Sequence, residues 1–233
     1  MQLSLAFCQA PRVARSAEGI EEAFGWESRE FLRKMVIGQV VKFKVVYKVD
    51  AISRSFATLE LKNKNVLHEM VSNGMVSVRT ERDDHGQKDL YEELIDLQTS
   101  ARDNHRGIWG AHRAPRNVIW TLPDPEAFFK ANKGFPMAAV IEQVRDGSTF
   151  KCYLLEGGEY ITLHLAGIQS PRITYSSTGE GSFIHTALFL ATYEAFAQEA
   201  RTFSEVRLLN RSILLYIDGM DKFNVRTGRC VNA

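Results

Sequence analysis

One segment of this chain is written twice. "LSLAFCQAPR" at Leu3–Arg12 and "LHLAGIQSPR" at Leu163–Arg172 share Leu, Leu, Ala, Gln, Pro and Arg at the same positions. A second pair follows, "ESREFLRKMVIGQVVKF" (Glu27–Phe43) against "EARTFSEVRLLNRSILL" (Glu199–Leu215), with Glu27/Glu199, Arg29/Arg201 and Phe31/Phe203 identical. The offset grows from 160 residues at the first match to 172 at the second, so the later copy holds twelve more residues between them, around "GEGSFIHTALFLATYEAFA". A duplication constrains the fold more than any composition does, because an element legible in one copy is expected in the other.

The local patterns assign those elements. In the first copy Leu3–Cys8 alternates like a strand, and Glu22–Met35 places Phe24, Phe31, Leu32 and Met35 at helical spacing. Val40–Val49 and Phe56–Leu61 read as strands. Val66–Ser72 reads as a short helix ended by Asn73-Gly74, and Leu90–Asn104 as a longer one stopped by Gly107. The second copy starts earlier in the pattern. Ala138–Val144, Thr149–Leu155 and Tyr160–Ile168 read as strands, the first two joined by a tight Arg-Asp-Gly turn. A helix is expected over Phe183–Arg207, then a strand at Ile213–Ile217 and another near Val225–Val231.

Copy one thus lacks two leading strands and copy two lacks two trailing helices. The full unit is strand–strand–strand–helix–strand–strand–helix–helix, and five antiparallel strands with a helix after the third describe an α+β, OB-fold-like barrel. The boundaries expected are 1–112 for the C-terminal part of a first domain, 113–136 for a Pro- and Gly-punctuated linker, and 137–233 for the N-terminal part of a second. Copy one cannot close five strands alone, so its sheet is expected to show bare edges or to borrow strands, with strand exchange between chains as one outcome.

Composition narrows the function classes. Lys and Arg number 29 against 28 Asp and Glu, so any phosphate-binding surface must be a local patch rather than a global field. The 3 cysteines, Cys8, Cys152 and Cys230, have no metal-ligand spacing and suit a reducing compartment. "TALFLATYEAF" is too short to span a bilayer, and "MQLSLAFCQA" lacks the basic start of a signal peptide while its near twin lies deep in the chain.

"VRDGSTFKCYLL" followed by "ITLHLAGIQSPR" resembles the opening of staphylococcal (micrococcal) nuclease, whose family carries Asp-Gly-Asp-Thr in its first hairpin and Arg-Leu-Leu-x-Val-Asp-Thr-Pro-Glu on its third strand. "FGWESREFLRKMVIG" and "YEELIDLQTSARDNHRGIWG" are similar to the tandem, degenerate nuclease-like domains of the Tudor staphylococcal nuclease (Tudor-SN) family. The resemblance covers nearly the whole chain. It implies staphylococcal-nuclease-like (SN-like) barrels inside a nuclease-like transcription coactivator and RNA-silencing component. RNA or single-stranded nucleic acid and ribonucleoprotein or transcription proteins are the implied partners, without a membrane. The implied location is the cytoplasm, with the nucleus as a second.

The active members of that family hold Ca²⁺ with carboxylates and place arginines on the phosphate; Ca²⁺ takes six to eight oxygen ligands. Carried over by position, the set mostly fails here. The metal aspartates fall on Ser148 and Gln169 (Gln9 in copy one), the glutamate on Arg172 (Arg12), and the strand arginine on His164 (Ser4). Asp146 matches the turn-forming aspartate. The later arginine survives as Arg54, with Arg226 loosely aligned in copy two. Ser148, His164, Gln169 and Arg172 are therefore degenerate positions, with no catalytic residue and no metal site expected. Ca²⁺ enters only if the chain acts as a Ca²⁺-dependent endonuclease within a longer protein. An arginine in the base position repels a dication and suits a phosphate oxygen.

The candidate nucleic-acid contacts are Arg12, Arg54 and Arg172, with Arg102, Arg106 and Arg113 in the basic stretch "ARDNHRGIWGAHRAPR", where Trp109 and nearby Trp120 could stack on bases. Each has a plainer reading. Loop arginines mostly stay in water, cations suit a helix C-terminus, and Lys42, Lys44 and Lys48 on one strand face could merely guard an edge. A protein-interaction scaffold is the competing function.

Overall fold

The computed structural model describes residues 3–80, 86–177, 189–220 and 226–232. The chain divides into two compact units, Met1–Arg116 and Asn117–Ala233.

The first unit begins with β1 (Leu3–Leu5), β2 (Cys8–Gln9) and helix α1 (Gly25–Val36). Phe24 enters α1 in the left-handed conformation, while Glu27 in the first turn and Arg33 and Lys34 in the last suit the helix dipole. Strands β3 (Lys42–Val49) and β4 (Arg54–Leu61) follow, then β5 (Lys64–Asn65), α2 (Val66–Ser72), β6 (Ser77–Val78) and α3 (Lys88–Asp103). Asn65 caps α2 by accepting from the Leu67 N–H at 2.9 Å.

The sheet order is β1–β4–β3, with β1 parallel and β3 antiparallel to β4, and β5 also pairs with β4. Among the described residues β1 and β3 are each bonded on one side alone. The bare edges expected of copy one are therefore present, and the described residues of 1–110 close no five-stranded barrel. A bulge between Val45 and Tyr47 shifts the register of β3. Lys42 and Lys44 oppose Glu60 and Thr58, but Lys48 opposes Ser55. The three lysines therefore do not share one face: the extra residue turns Lys48 to the other side.

Helices α2 and α3 supply Val66, Leu67, Met70, Val71 and Leu94 to a core that also holds Phe7 and Phe56. Phe31, Leu32, Met35 and Val36 of α1 pack against it. The ends of α2 and α3 are pinned at two glycines, Gly74 (φ 66°) and Gly107 (φ 54°), whose backbones meet so closely that a Cβ on Gly74 would collide with the Arg106 carbonyl and one on Gly107 with the Gly74 carbonyl. The Ile108 N–H donates to the Gly74 carbonyl at 2.8 Å across this contact.

The second unit opens with α4 (Pro125–Asn132), inside the segment read as linker. Asp124 caps it by accepting from the Ala127 N–H at 2.9 Å, Pro125 stands at its first position, and Phe128 and Phe129 pack on the core below. Then come β7 (Met137–Val144), β8 (Thr149–Leu154), β9 (Tyr160–Leu165), β10 (Ile173–Ser177), β11 (Phe189–Tyr193), α5 (Ala197–Leu208), β12 (Ser212–Met220) and β13 (Arg226–Asn232). Five of these close a barrel in the order β12–β13–β9–β8–β7, with β13 parallel to β9. Its interior is lined by Ile141, Phe150, Cys152, Leu163, Ile213 and Leu215, all fully buried.

One expected element is corrected. The helix over Phe183–Arg207 is a strand and a shorter helix: Phe189–Tyr193 pairs antiparallel with Ile173–Ser177, and α5 starts at Ala197. The twelve-residue insertion thus contributes to a hairpin. Residues 183–188 lie outside the described ones. Among the described residues no helix is long and apolar enough to cross a membrane.

Candidate nucleic-acid interface

The Arg-Asp-Gly turn joining β7 to β8 is locked from inside. One Asp146 carboxylate oxygen accepts the Ser148 N–H at 2.8 Å, the Ser148 hydroxyl at 3.2 Å and the Ser170 hydroxyl at 3.1 Å. The Ser170 N–H donates to Ser148 Oγ at 3.1 Å, tying the turn to the segment after β9. Gly147 sits where a side chain would press on Ser170 and Ala200, and its carbonyl accepts from Ser204 Oγ of α5 at 2.8 Å. Burial alone would raise the Asp146 carboxyl. The hydrogen bonds from the Ser148 N–H and from Thr149, Ser170 and Ser148 outweigh burial and hold it below the usual carboxylate range.

The positions expected to be degenerate fall around this lock. Ser148 is buried within it. His164 stands opposite Thr149, with Nδ1 3.2 Å from the threonine hydroxyl. Gln169 and Arg172 are exposed. The structure thus gathers Ser148 with Asp146 and Ser170, a serine the sequence reading did not single out, while Gln169 faces water. Among the described residues no three His, Cys, Asp or Glu side chains converge as a metal site would require.

Each Gln-x-Pro-Arg ending is held by a glutamate that sequence reasoning missed. The Arg172 N–H donates to Glu194 Oε2 at 2.7 Å, and the Glu194 N–H returns to the Arg172 carbonyl at 3.1 Å. In the first unit the Arg12 N–H donates to Glu22 Oε2 at 2.8 Å, and the Glu22 N–H donates to the Arg12 carbonyl at 2.9 Å. The same two-way clamp recurs, and two residues beyond each glutamate a phenylalanine, Phe24 or Phe196, adopts a left-handed φ of 64° or 63°. The clamp grips the backbone and leaves the guanidinium outside. Arg12 Nε is 3.8 Å from Glu22 Oε1, an exposed pair with 65% and 45% of the side chains accessible.

Arg54 begins β4, and its Nε is buried without a hydrogen-bond partner among the described residues. The loose equivalence with Arg226 does not hold in register. Leu3 opposes Ser55 in the first unit, whereas Leu163 opposes Arg226 in the second, so Arg226 occupies the Ser55 position.

The basic stretch is largely engaged within its own unit. The Arg102 guanidinium lies 4.5 Å over the Trp109 ring, and Arg106 donates to the Ser72 carbonyl at 3.2 Å. Arg113 lies 5.3 Å over Phe24 and 3.8 Å from Glu27. Arg116 pairs with Glu21 at 2.7 Å and lies 4.1 Å over Trp26. Trp120, in the second unit, packs on Tyr160 with ring centroids 4.8 Å apart.

Residues 2–111 match the family described as "Staphylococcal nuclease homologue". Over 95% of its length the chain is 36% identical to "Ribonuclease TUDOR 2" of Arabidopsis thaliana, covering 27% of that protein. It is 33% identical over 96% of its length to "Staphylococcal nuclease domain-containing protein 1" of Drosophila melanogaster, covering 24% of it. The protein of the same name from Schizosaccharomyces pombe is 25% identical over 92% of the chain. The chain thus spans about a quarter of the length of these relatives. It belongs to the staphylococcal-nuclease-like family, and its first unit is a domain of that kind along almost its whole length.

Proposed function

We propose that this chain is a nucleic-acid-binding module, with RNA as its ligand, in which the nuclease site has become a binding site. The observation that carries this reading is the paired clamp. In both units the arginine that the resemblance aligns with the catalytic base has its backbone fixed by Glu194 or Glu22 and its guanidinium at the surface. A fixed backbone with a solvated guanidinium presents a fork suited to phosphate oxygens. The weak exposed pair with Glu22 offers little competition, since such pairs contribute about 0–1 kcal/mol. The Asp146 turn lock supports the same reading, because it ties Ser148, at the position that the resemblance gives to a metal aspartate, into hydrogen bonds with Asp146 and Ser170.

In a longer protein such a module would serve RNA-silencing or transcription complexes, in the cytoplasm and also in the nucleus. Filter binding of short single- and double-stranded RNA at two salt concentrations tests the proposal. Affinity should fall steeply with salt, by a log–log slope of about 0.7–0.9 per phosphate contacted. Replacing Arg12, Arg54 and Arg172 together should flatten that slope.

A second reading, a protein-interaction scaffold, has its own support. Arg102, Arg106 and Arg113 already contact Trp109, Ser72, Phe24 and Glu27. Absence of RNA binding at low salt would favour it. Chelator-sensitive cleavage of RNA in Ca²⁺ would instead favour an endonuclease.

A further inference from the structure

Residues 10–24 of the first unit form neither strand nor helix, so the backbone N–H groups from Arg12 onward must find partners outside a regular ladder. Two consecutive glutamates supply them. Glu22 Oε2 takes the Arg12 N–H. Glu21 Oε2 accepts the N–H of Ala14, a buried residue two positions on, at 2.6 Å. The other oxygen of the Glu21 carboxylate accepts from Arg116 Nε at 2.7 Å, a partner 95 positions away in the sequence. The Arg116 and Glu21 side chains are nearly closed to water, with 11% and 12% accessible, and the guanidinium lies over the Trp26 ring.

The second unit meets the same need differently. At the offsets of the repeat, Ala14 and Glu21 correspond to Thr174 and Tyr193, which lie in the paired strands β10 and β11. A strand ladder therefore holds the chain beyond Arg172. In the first unit one carboxylate holds the chain beyond Arg12, and one arginine holds that carboxylate.

We infer that Arg116 is a positioning residue for Arg12 in RNA binding, an inference that rests on reading Arg12 as an RNA contact. Arg116 acts through Glu21 and Ala14 and touches no RNA itself. Its removal leaves a largely buried carboxylate without its cation, which is costly, so Glu21 turns to water or takes up a proton. The Ala14 N–H is then released, and Arg12 keeps the Glu22 clamp alone. A looser Arg12 loses more freedom on binding and binds less tightly. Lysine supplies the charge but not the planar fork that stacks on the indole.

The test uses the full chain and short single-stranded RNA, with affinity read by filter binding and hydrogen exchange read at the Ala14 amide. Arg12→Ala should weaken binding roughly fivefold and lower the salt slope by about one contact. Arg116→Ala should weaken binding about threefold and speed exchange at Ala14, while α2 and α3 keep their protection. Arg116→Lys should recover part of both losses; it also makes the comparison if the alanine variant folds poorly. Adding Arg116→Ala to Arg12→Ala should cost nothing further, because the group being positioned is gone. Additive losses in the double variant would make Arg116 an RNA contact in its own right and overturn the proposal. Unchanged affinity in Arg116→Ala would overturn it too, as would equal loss of protection at α2 and α3. Unchanged affinity in Arg12→Ala would instead remove the reading of Arg12 beneath it, and the proposal with it.

Discussion

Replacing Asp146 by alanine isolates what this carboxylate does. The substitution removes the acceptor of three hydrogen bonds and strands the N–H of Ser148, a residue only 6% exposed, while the Ser148 hydroxyl keeps Ser170 Oγ at 3.2 Å. Hydrogen bonds to a charged group contribute about 1.5–3 kcal/mol each. The three share one oxygen of a half-exposed side chain, so water recovers part of the loss and their sum is not additive. The expected cost is about 2–4 kcal/mol, confined to the second unit; Asp146→Asn, which keeps a neutral acceptor, should cost about half as much. Hydrogen exchange read separately on β8 and β9 and on β4 is the assay, since it gives an opening free energy for each region. The acid limb supplies a second check. A carboxyl held below its unfolded value of about 3.9 stabilises above that pH, and the contribution is lost as pH falls through the lower folded value. The wild-type second unit should therefore weaken below about pH 4, while Asp146→Asn shows a flatter limb. A cost under about 0.5 kcal/mol, or an equal loss at β4, would refute the view of Asp146 as a turn lock.

Further outcomes follow from other sites. Gly74→Ala should destabilise the first unit alone by more than about 2 kcal/mol, because a left-handed φ costs an L-residue about 1–2 kcal/mol and the added Cβ also meets the Arg106 carbonyl; urea unfolding followed by exchange on α2 and α3 would show it. Arg12→Ala with Arg172→Ala should lower RNA affinity and reduce the salt slope by about two contacts' worth, read by filter binding. Burial pushes the Cys152 thiol far above its ordinary range and raises Cys230 as well. Native chain at pH 8 should therefore leave Cys152 unalkylated, with labelling appearing only in urea, as mass spectrometry of the digest would report.

The duplication made much of this legible. Apolar runs and turn signals located β7 and β8 nearly to their ends, while alternation, which β9 and β12 do bury at every second residue, overran β9 by three residues and stopped short of the end of β12 by three. The open sheet of the first unit also followed from counting strands between the copies. The region of Phe189–Tyr193 was misread because a short apolar run has no periodicity of its own, and its pairing with Ile173–Ser177 depends on residues far along the chain. The bulge in β3, which parts Lys48 from Lys42 and Lys44, left no mark in the alternation. Glu22 and Glu194 could have been found. They lie at the same offset as Glu27 and Glu199, five residues upstream, and extending the repeat that far exposes them. What no repeat could reveal is that Arg102, Arg113 and Arg116 settle on Trp109, Phe24 and Trp26, contacts made by the folded backbone rather than by sequence spacing.

The central claim is that these sites hold nucleic acid without cutting it, and one experiment reads both halves at once. End-labelled RNA is incubated with the chain, with and without Ca²⁺, and the bound fraction and strand length are measured in the same sample. RNA retained at full length under both conditions is the expected result. Strands shortened only when Ca²⁺ is present, or RNA that stays unbound at low salt, would contradict it.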